Sequence, residues 1–453
     1  MGGFRYIILF VATLSSTFIY SNRIVFGFTV ICQEPDNSTS SEYYLANPVA
    51  KAWMFTATAV GMCFGPIPLY WAYKLDTRVL IMVYGATSTM ATALYPIADS
   101  LGLWPSLTAR FFAGFAQASQ LHFANEVVLT WAPQAESSLF FSILLAASQF
   151  GPLFTMILGG EMCSSSLGWE ATYYVLGILT LASTSVFALI YTQDVEANRF
   201  ISRSEASKII GGRKALMKKA RVPYREVLTD VTIWASFVMF IGYYTGMIIY
   251  QQYSPTFIKQ VLNYTIRETG YFSAIPMVFA IILKVGIGKL IDHGLGLSAK
   301  WRLAAPLLVL EILSAASIFL TGFMDDRRVA LFFDILFASL HFFVPVICSR
   351  TIQIRGAQHA HFALNFNMFI AGFVQILLPG GVQLLVPDNT KEQWAVLFYC
   401  LSAMIIATTA LYVACITASA APWTKNTSTQ QGSHPYSSKI KSCDEKHYRK
   451  FEK

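Results

Sequence analysis

An all-α membrane protein of twelve spanning helices, arranged as two six-helix bundles, is the expected architecture of this chain. Of its 453 residues, 55% are hydrophobic and only 13% are charged, whereas soluble domains contain about 25% charged residues. A spanning helix needs about 20 mostly apolar residues. Runs of that kind begin near residues 5, 52, 79, 104, 137, 170, 232, 269, 302, 329, 361 and 394. A long basic stretch separates the first six runs from the last six, so each half is predicted to form one bundle.

Residues that end helices mark the limits of these runs. Pro48 precedes the second run, charged residues 74–78 separate the second from the third, and Asp292-His293-Gly294 follows the eighth. The basic stretch mixes apolar and cationic residues, which favours short amphipathic helices on the membrane surface. The predicted domains are an N-terminal bundle at 1–193, a central loop at 194–229, a C-terminal bundle at 230–418 and a disordered tail at 419–453.

The basic residues also predict the orientation in the membrane. Nine Lys and Arg residues lie between residues 199 and 225, where Glu205 is the only acidic residue. The positive-inside rule places such a loop in the cytosol. The stretch Glu34–Asn47 contains no Lys or Arg and suits an outside loop. Because six spans lie on each side of the central loop, both termini are predicted to be cytosolic, in the plasma membrane or in a vesicle membrane.

Two sequons and two cysteines fall in the predicted outside regions. Asn37 and Asn263 each begin an Asn-X-Thr sequence, so both are candidate glycosylation sites. Cys32 and Cys163 lie near predicted outside ends of helices, where they either form a disulfide or remain separate. The cysteine spacings do not match a metal site, and no metal or cofactor is predicted.

Two arginines inside apolar runs are the main functional signal. Arg23 interrupts the run Tyr6–Cys32, and Arg110 lies in the run Thr108–Thr130. An arginine at the centre of a spanning helix costs at least ~2.5–3.5 kcal/mol, and its charge is permanent. By the helical rise, Arg23 and Arg110 lie ~12 Å and ~10 Å from the outer ends of their helices. Two cations at one depth would bind a carboxylate or phosphate; the alternative is that they snorkel to the interface.

Four further polar residues in two helices are candidates for substrate binding or ion coupling. Gln117 lies two turns from Arg110 and can hydrogen-bond a substrate, whereas Glu126 either closes the cytosolic end of its helix or carries a proton. Asp334 and His341 show the same spacing of seven residues in the tenth run. His341 is either a protonation site for coupling or a hydrogen-bonded packing residue. Asp334 either lies level with Arg110 or reaches the interface.

Tyrosines in the seventh run complete the set of candidates. Tyr243 and Tyr244 either line a cavity with hydroxyl groups or belong to an aromatic belt at the interface. No Gly-rich phosphate loop, Ser/His/Asp order or His-Glu-x-x-His sequence is present. The chain is therefore not expected to be an enzyme or an ATP-driven pump, and no nucleic-acid partner is expected.

An ordered set of short motifs resembles the anion/cation symporter family of the major facilitator superfamily. This family includes type I phosphate, sialic acid and vesicular glutamate transporters, and the resemblance covers almost the whole chain. The motifs are Arg110-Phe-Phe-Ala-Gly114, Trp131-Ala132-Pro133, Glu136-Ser137, Gly168-Trp169, Tyr173-Tyr174, Gly177, Ile201-Ser202 with Glu205, Pro255-Thr256, Ser273-Ala-Ile-Pro276, Asp292, Trp394 and Pro422-Trp423. The resemblance implies that Arg23 and Arg110 bind an anionic substrate in a central cavity. It also matches Asn365 to an asparagine of helix eleven.

Several positions differ from the family pattern. Gln117 replaces the glutamate of the proton-coupled sialic acid and glutamate carriers, although phosphate-type members also have glutamine there. Tyr243 lies near the position of a third arginine in the glutamate carriers. Phe55 occupies the region of a histidine in helix two, and Phe362 replaces a glycine in helix eleven. These differences favour a phosphate-type or broader organic-anion carrier.

The sequence therefore predicts a secondary transporter of organic anions or inorganic phosphate that works by alternating access between two bundles. Na⁺, H⁺ or the membrane potential would drive it. The main alternative is a transporter-like anion receptor or scaffold without transport, which the altered positions in helices seven and eleven would suit.

Overall fold

Each predicted span corresponds to one helix or to consecutive helices, numbered here as segments 1 to 12. The computed structural model describes residues 3–33, 43–72, 76–133, 136–211, 223–293 and 296–424. Segments 1 to 6 are Phe4–Gln33, Pro48–Phe64 with Pro66–Ala72, Thr77–Ala93 with Tyr95–Leu101, Leu103–Gln117 with Gln120–Trp131, Ser137–Leu145 with Ala147–Ser164, and Glu170–Ile190. Segments 7 to 12 are Val231–Ile248 continued to Val261, Ile266–His293, Ala299–Phe323, Arg327–His341 with Val344–Gly356, Ala360–Leu385, and Lys391–Cys415.

Segment 4 is the span that hydropathy alone does not identify. In the described ranges, ten helices are long and apolar enough to cross a membrane. An eleventh is counted if Thr77–Ala93 and Tyr95–Leu101, which meet at 46°, form one span. Segment 4 is divided at residues 118–119 and contains Arg110, Gln117 and Glu126. Its polar residues lower its hydropathy.

Side-chain caps fix the starts of several segments. The first-turn backbone N–H groups of a helix lack partners within the helix, so an oxygen in the preceding residue stabilises its start. Asn47, Asp76, Asp230, Asp326 and Thr390 each accept such a hydrogen bond. These residues lie in the polar breaks between apolar runs, which is why the helices begin where the runs do.

The two halves repeat one pattern of helix contacts. Segment 1 packs on 5 and 6, segment 4 on 2 and 3, and segment 3 on 6. In the same way, segment 7 packs on 11 and 12, segment 10 on 8 and 9, and segment 9 on 12. The halves meet where segment 2 packs on 11 and segment 5 on 8, and these two interfaces are related by the same repeat. The predicted arrangement of two six-helix bundles is confirmed.

Two glycines allow close approach of helix backbones. A Cβ atom at Gly114 would collide with the carbonyl oxygen of Thr58, so segments 2 and 4 need glycine there. A Cβ atom at Gly270 would lie 2.5 Å from the carbonyl oxygen of Met156, at the interface of segments 5 and 8. Small residues are common where membrane helices pack closely. Gly114 ends the motif that begins at Arg110, which gives that motif a packing role.

We call the end of the bundles that carries residues 194–229 the loop end, and the opposite end the far end. At the far end, Cys32 and Cys163 form a disulfide that joins segments 1 and 5, with 6.1 Å between their Cα atoms. This resolves the pairing that the sequence left open. Asn263 is exposed in the far-end connection between segments 7 and 8. Asn37 lies outside the described residues.

At the loop end, each half has one ion-pair cluster that connects three parts of the chain. In the N-terminal half, Arg5 binds Glu136 and Glu205, both at 3.0 Å. Glu205 belongs to the short helix Arg203–Gly211 of the central loop, where short helices were predicted.

The corresponding cluster of the C-terminal half includes residues that were predicted to be disordered. Arg355 binds Asp230 at 2.8 Å, and the indole N–H of Trp423 donates to the same carboxylate at 3.3 Å. The structure therefore differs from the predicted boundary of the tail at 419. The chain remains packed to Thr424 because Trp423 has a polar partner and Ala421 is buried.

Candidate functional site

Arg23, in the middle of segment 1, is buried between the two halves. It is 3% exposed, and its Nη1 donates to Oε1 of Gln375 in segment 11 at 2.9 Å. Its guanidinium lies 4.7 Å from the ring centre of Tyr20. Among the described residues its Nε has no hydrogen-bond partner. Arg23 therefore faces the other half and not the lipid.

Arg110 of segment 4 lies at the level of Arg23. Its Nη2 donates to the backbone carbonyl oxygen of Arg23 at 2.8 Å, so the two arginines lie side by side. Arg110 is also 3% exposed, and its guanidinium lies 5.0 Å from the ring centre of Phe26. Its Nε has no partner in the described part of the chain.

Neither arginine is neutralised by a described residue. The ion pairs of Arg5, Lys208, Arg267, Arg355 and Lys391 all lie at the ends of segments. In the described ranges no carboxylate pairs with Arg23 or Arg110. A buried charge without a counter-charge is strongly unfavourable. Two of them at one level form a site in which an anion would be stabilised.

Segment 7 contributes tyrosines next to this site. The Tyr243 and Tyr244 ring centres are 5.2 Å apart, and the Tyr244 hydroxyl accepts a hydrogen bond from Nδ2 of Asn367 at 2.9 Å. The Tyr20 hydroxyl donates to Oε1 of Gln251 at 3.0 Å, which connects segment 1 to segment 7. Tyr243 is buried and Tyr244 is half-buried inside the bundle.

Two amides of segment 11 belong to the site and were not predicted. Gln375 contacts Arg23, and Asn367 contacts Tyr244; each also has one side-chain atom without a partner among described residues. The side chain of Asn365, the predicted asparagine, lies outside the described residues. Asn367 and Gln375 are polar residues eight positions apart in an apolar run, and this spacing on one helix face was the signal that could have identified them.

Gln117 is buried, but its amide has a local partner. Its Nε2 donates to Oε1 of Gln120, across the division of segment 4, and its own Oε1 has no partner within the described ranges. The structure records no hydrogen bond that joins Gln117 to Arg110. Gln117 therefore borders the arginine pair on the loop side and does not form part of it. Glu126, in the second helix of segment 4, is half-buried.

Asp334 and His341, the other two titratable candidates, are held in different ways. Asp334 accepts a hydrogen bond from Oγ of Ser254 at 2.8 Å, and it is 2% exposed. His341 is 3.0 Å from Oε2 of Glu311 in segment 9, and both residues are 1% exposed. Glu311 was not predicted, although a lone carboxylate in the apolar run of segment 9 was the available signal. His341 thus has hydrogen-bond partners, as the packing interpretation requires.

Residues 6–419 match the Major Facilitator Superfamily. The chain belongs to this superfamily. Human sialin is 25% identical over 386 residues, which cover 81% of this chain and 75% of sialin. Human sodium-dependent phosphate transport protein 1 is 22% identical over 451 residues, with 93% and 95% coverage. These relatives confirm the predicted resemblance to the type I phosphate and sialic acid group.

The fold also agrees with solved structures of the superfamily. The inward-open xylose transporter XylE from E. coli has a TM-score of 0.67 and 13% identity, with coverage of 91% of this chain and 96% of the other. At this identity the likeness concerns the fold alone. A multi-pass membrane protein of a transporter superfamily, and not an enzyme, is the function class that follows from these relatives.

Proposed function

We propose that this superfamily member is a secondary transporter of small anions, either inorganic phosphate or organic carboxylates. Arg23 and Arg110 would bind the anion between the two halves. The observation that carries the proposal is the burial of two permanent cations, at one level, without a described carboxylate partner. A phosphate or carboxylate could accept hydrogen bonds from both guanidinium groups.

Uncharged polar groups around the arginines could also contact a bound anion. Gln375 and Asn367 supply amide groups from the C-terminal half, and Tyr244 supplies a hydroxyl. Arg23 is therefore in contact with both halves, so an anion bound to it would also interact with both. In alternating access, the substrate site lies between two bundles that rock against each other.

Contacts at the far end are of the kind that such rocking could break. Glu161 of segment 5 accepts hydrogen bonds from Arg267 at 2.8 Å and from Tyr271 at 2.6 Å, both in segment 8. The arginine side chain is 62% exposed, and exposed ion pairs contribute only ~0–1 kcal/mol. Gly160 and Gly270 pack beside them without side chains. The two halves are thus held together there by weak and reversible contacts.

The relatives support the choice of anion class. One is named a sodium-dependent phosphate transport protein, and another a probable small intestine urate exporter. The substrates in both names are anions. The driving ion, the membrane and the cytosolic position of both termini are part of this proposal. Glycosylation at Asn37 and Asn263 and the predicted domain limits, other than the start of the tail, also belong to it.

Counterflow in reconstituted vesicles tests the proposal. Phosphate, urate, sialate, glutamate and nucleotides are screened with Na⁺, H⁺ or voltage imposed separately. For the anion that is transported, Arg23→Ala and Arg110→Ala are expected to abolish uptake, because each removes one of the two cations. Arg350→Ala, which removes an exposed arginine of segment 10, is the matched control and should transport normally.

Two outcomes would contradict the proposal. Wild-type uptake in either arginine variant would show that the anion does not bind there. Saturable anion binding without flux under any gradient would favour the receptor or scaffold alternative.

A further inference from the structure

A buried acid–base pair lies in the C-terminal half, next to segment 7. Glu311 of segment 9 and His341 of segment 10 are each 1% exposed, and 3.0 Å separates Oε2 of the glutamate from Nδ1 of the histidine. No described lysine or arginine pairs with Glu311. Its other oxygen, Oε1, has no hydrogen-bond partner among the described residues.

The partners of His341 determine how many protons the pair holds. Nε2 is 3.2 Å from the backbone carbonyl oxygen of Tyr243, and a carbonyl oxygen only accepts hydrogen bonds. Nε2 must therefore carry a proton for this contact to be a hydrogen bond. Nδ1 then either donates a second proton to the Glu311 carboxylate or accepts one from the carboxylic acid. In both cases the pair contains one proton more than a carboxylate with a neutral imidazole.

Loss of that proton would break one of the two hydrogen bonds. A neutral imidazole has a single N–H group and cannot donate to both Glu311 and Tyr243. The deprotonated pair would also carry an unpaired negative charge in a buried position, which is unfavourable. Its protonation state therefore decides whether segment 10 is bound at the same time to segment 9 and to segment 7.

Segment 7 links this pair to the arginines. Gly246 packs on the imidazole so closely that a Cβ atom there would lie 2.5 Å from Nε2 of His341. The ring centre of Tyr243 is 5.5 Å from that of His341. One turn further, Gln251 accepts the hydrogen bond from Tyr20, which stacks on Arg23. A shift of segment 7 would therefore reach the anion site.

The surrounding elements add no described cation to the pair. Its titratable neighbours are Tyr243 of segment 7, Cys348 of segment 10 and, beyond Cys348, Tyr412 of segment 12. Asp334, seven residues before His341, is engaged by Ser254 of segment 7. An incoming proton is thus the available counter-charge for Glu311.

We propose that Glu311 and His341 form a proton-binding site that holds segment 7 in position, and that its proton is the coupling ion. The coupling part rests on the proposed anion transport. The proton comes from water on one side of the membrane, is shared between Oε2 and Nδ1, and returns to water on the other side. No bond other than the O–H or N–H bond changes.

Vesicles that contain the full chain test the coupling. An inward proton gradient should accelerate anion uptake by the wild type, and Glu311→Gln and His341→Gln should lose this acceleration. Both variants should retain anion counterflow, which needs no net proton movement and shows that the protein is folded. Glu392→Gln, an exposed glutamate of segment 12, is the control and should respond as the wild type does. Unchanged acceleration in the variants, or a wild type driven by Na⁺ and not by the proton gradient, would overturn the proposal.

A titration in detergent tests the proton site independently of transport. Between alkaline and mildly acidic pH, the wild type should take up more protons than the double variant Glu311→Gln, His341→Gln, by at least one proton per chain. Equal uptake would overturn the proton site whether or not an anion is moved. Extra proton uptake in a protein that moves no anion would leave the site valid and contradict the proposed transport.

Discussion

The two halves repeat the same helix contacts but differ in the kind of charge that they bury. Segments 1 to 6 bury Arg23 and Arg110, which are permanent cations without a described counter-charge. Segments 7 to 12 bury Glu311, His341 and Asp334, which are titratable and have hydrogen-bond partners. Under the two proposals above, an anion would complete the first half and a proton would complete the second.

This difference suggests how one fold can couple two ions. A permanent cation cannot respond to pH, so in the proposed transporter it would bind the anion at any pH. An imidazole beside a carboxylate can bind and release a proton, which is the property that the proposed coupling needs. The contacts of Arg23 with Gln375 and of Tyr20 with Gln251 connect the two sites across the halves.

Loss of a paired group in the C-terminal half should have the largest effect on stability. Removal of one partner of a buried ion pair costs ~3–5 kcal/mol. For Glu311→Leu we expect a loss of about 3 kcal/mol, at the low end of this range. Thermal unfolding in detergent measures it, with Glu392→Leu as the exposed control. Equal melting temperatures of the two variants would show that the pair does not stabilise the half.

Gly246→Ala tests the contact between segment 7 and the pair. The added methyl group would lie 2.5 Å from Nε2 of His341, and such overpacking costs ~1–3 kcal/mol. The variant should unfold at lower temperature and lose the stimulation of uptake by a proton gradient. Gly380→Ala in segment 11, where no atom lies within 4 Å, is the control and should be neutral or slightly stabilising. If Gly246→Ala changed neither the melting temperature nor the response to a proton gradient, segment 7 could move away from His341 without effect.

In the N-terminal half the corresponding change should have the opposite sign. Arg110→Met removes a buried charge that costs the protein ~2.5–3.5 kcal/mol or more, but it also removes the hydrogen bond to Arg23. We expect a net stabilisation of the anion-free protein by roughly 1 kcal/mol. Phosphate or the transported anion should raise the melting temperature of the wild type but not of Arg110→Met, because a ligand stabilises the state that binds it. Arg350→Met is the control, and a destabilised Arg110→Met would indicate that a protein group already neutralises the charge.

The fold and one half of the site follow from the sequence, for a physical reason. The spans are local: each is a run of apolar residues between capped, polar breaks such as those at Asn47 and Asp230. Arg23 and Arg110 are recognisable because a permanent charge in such a run is unfavourable without regard to its neighbours. Segment 4 is the exception, since its polar residues make it less apolar than the other spans.

The partners in the C-terminal half depend on contacts between distant segments. Glu311 and His341 are 30 residues apart, in different helices, and no local spacing indicates that they meet. Gln375 contacts Arg23 although the two residues are 352 positions apart. The residue of segment 11 that was predicted for the site from the sequence was Asn365. The order of Trp423 likewise depends on Asp230, at the start of segment 7. Each of these results from packing of helices and not from the pattern of one helix.

The smallest expected effect concerns the loop-end clusters, which also differ between the halves. In the N-terminal cluster, the ammonium group of Lys208 lies 2.8 Å from the Glu136 carboxylate. Together with the guanidinium of Arg5, it lowers the pKa of Glu136 from 4.5 to about 2. A carboxyl whose pKa is lower in the folded state stabilises the fold above its unfolded pKa. This contribution should decrease as the pH falls from about 4.5 towards 2.

Glu136→Gln removes the titrating group and should therefore flatten the acid side of the melting-temperature profile in detergent, and Lys208→Met should flatten it partly. Because the Lys208 side chain is 53% exposed, solvent and salt screen the interaction, and added salt should reduce the difference from the wild type. Among the described residues, no lysine pairs with the C-terminal cluster of Arg355 and Asp230. If Glu136→Gln kept the acid-side slope of the wild type, the N-terminal cluster would not contribute to stability through this carboxylate, and the two loop ends would be equivalent.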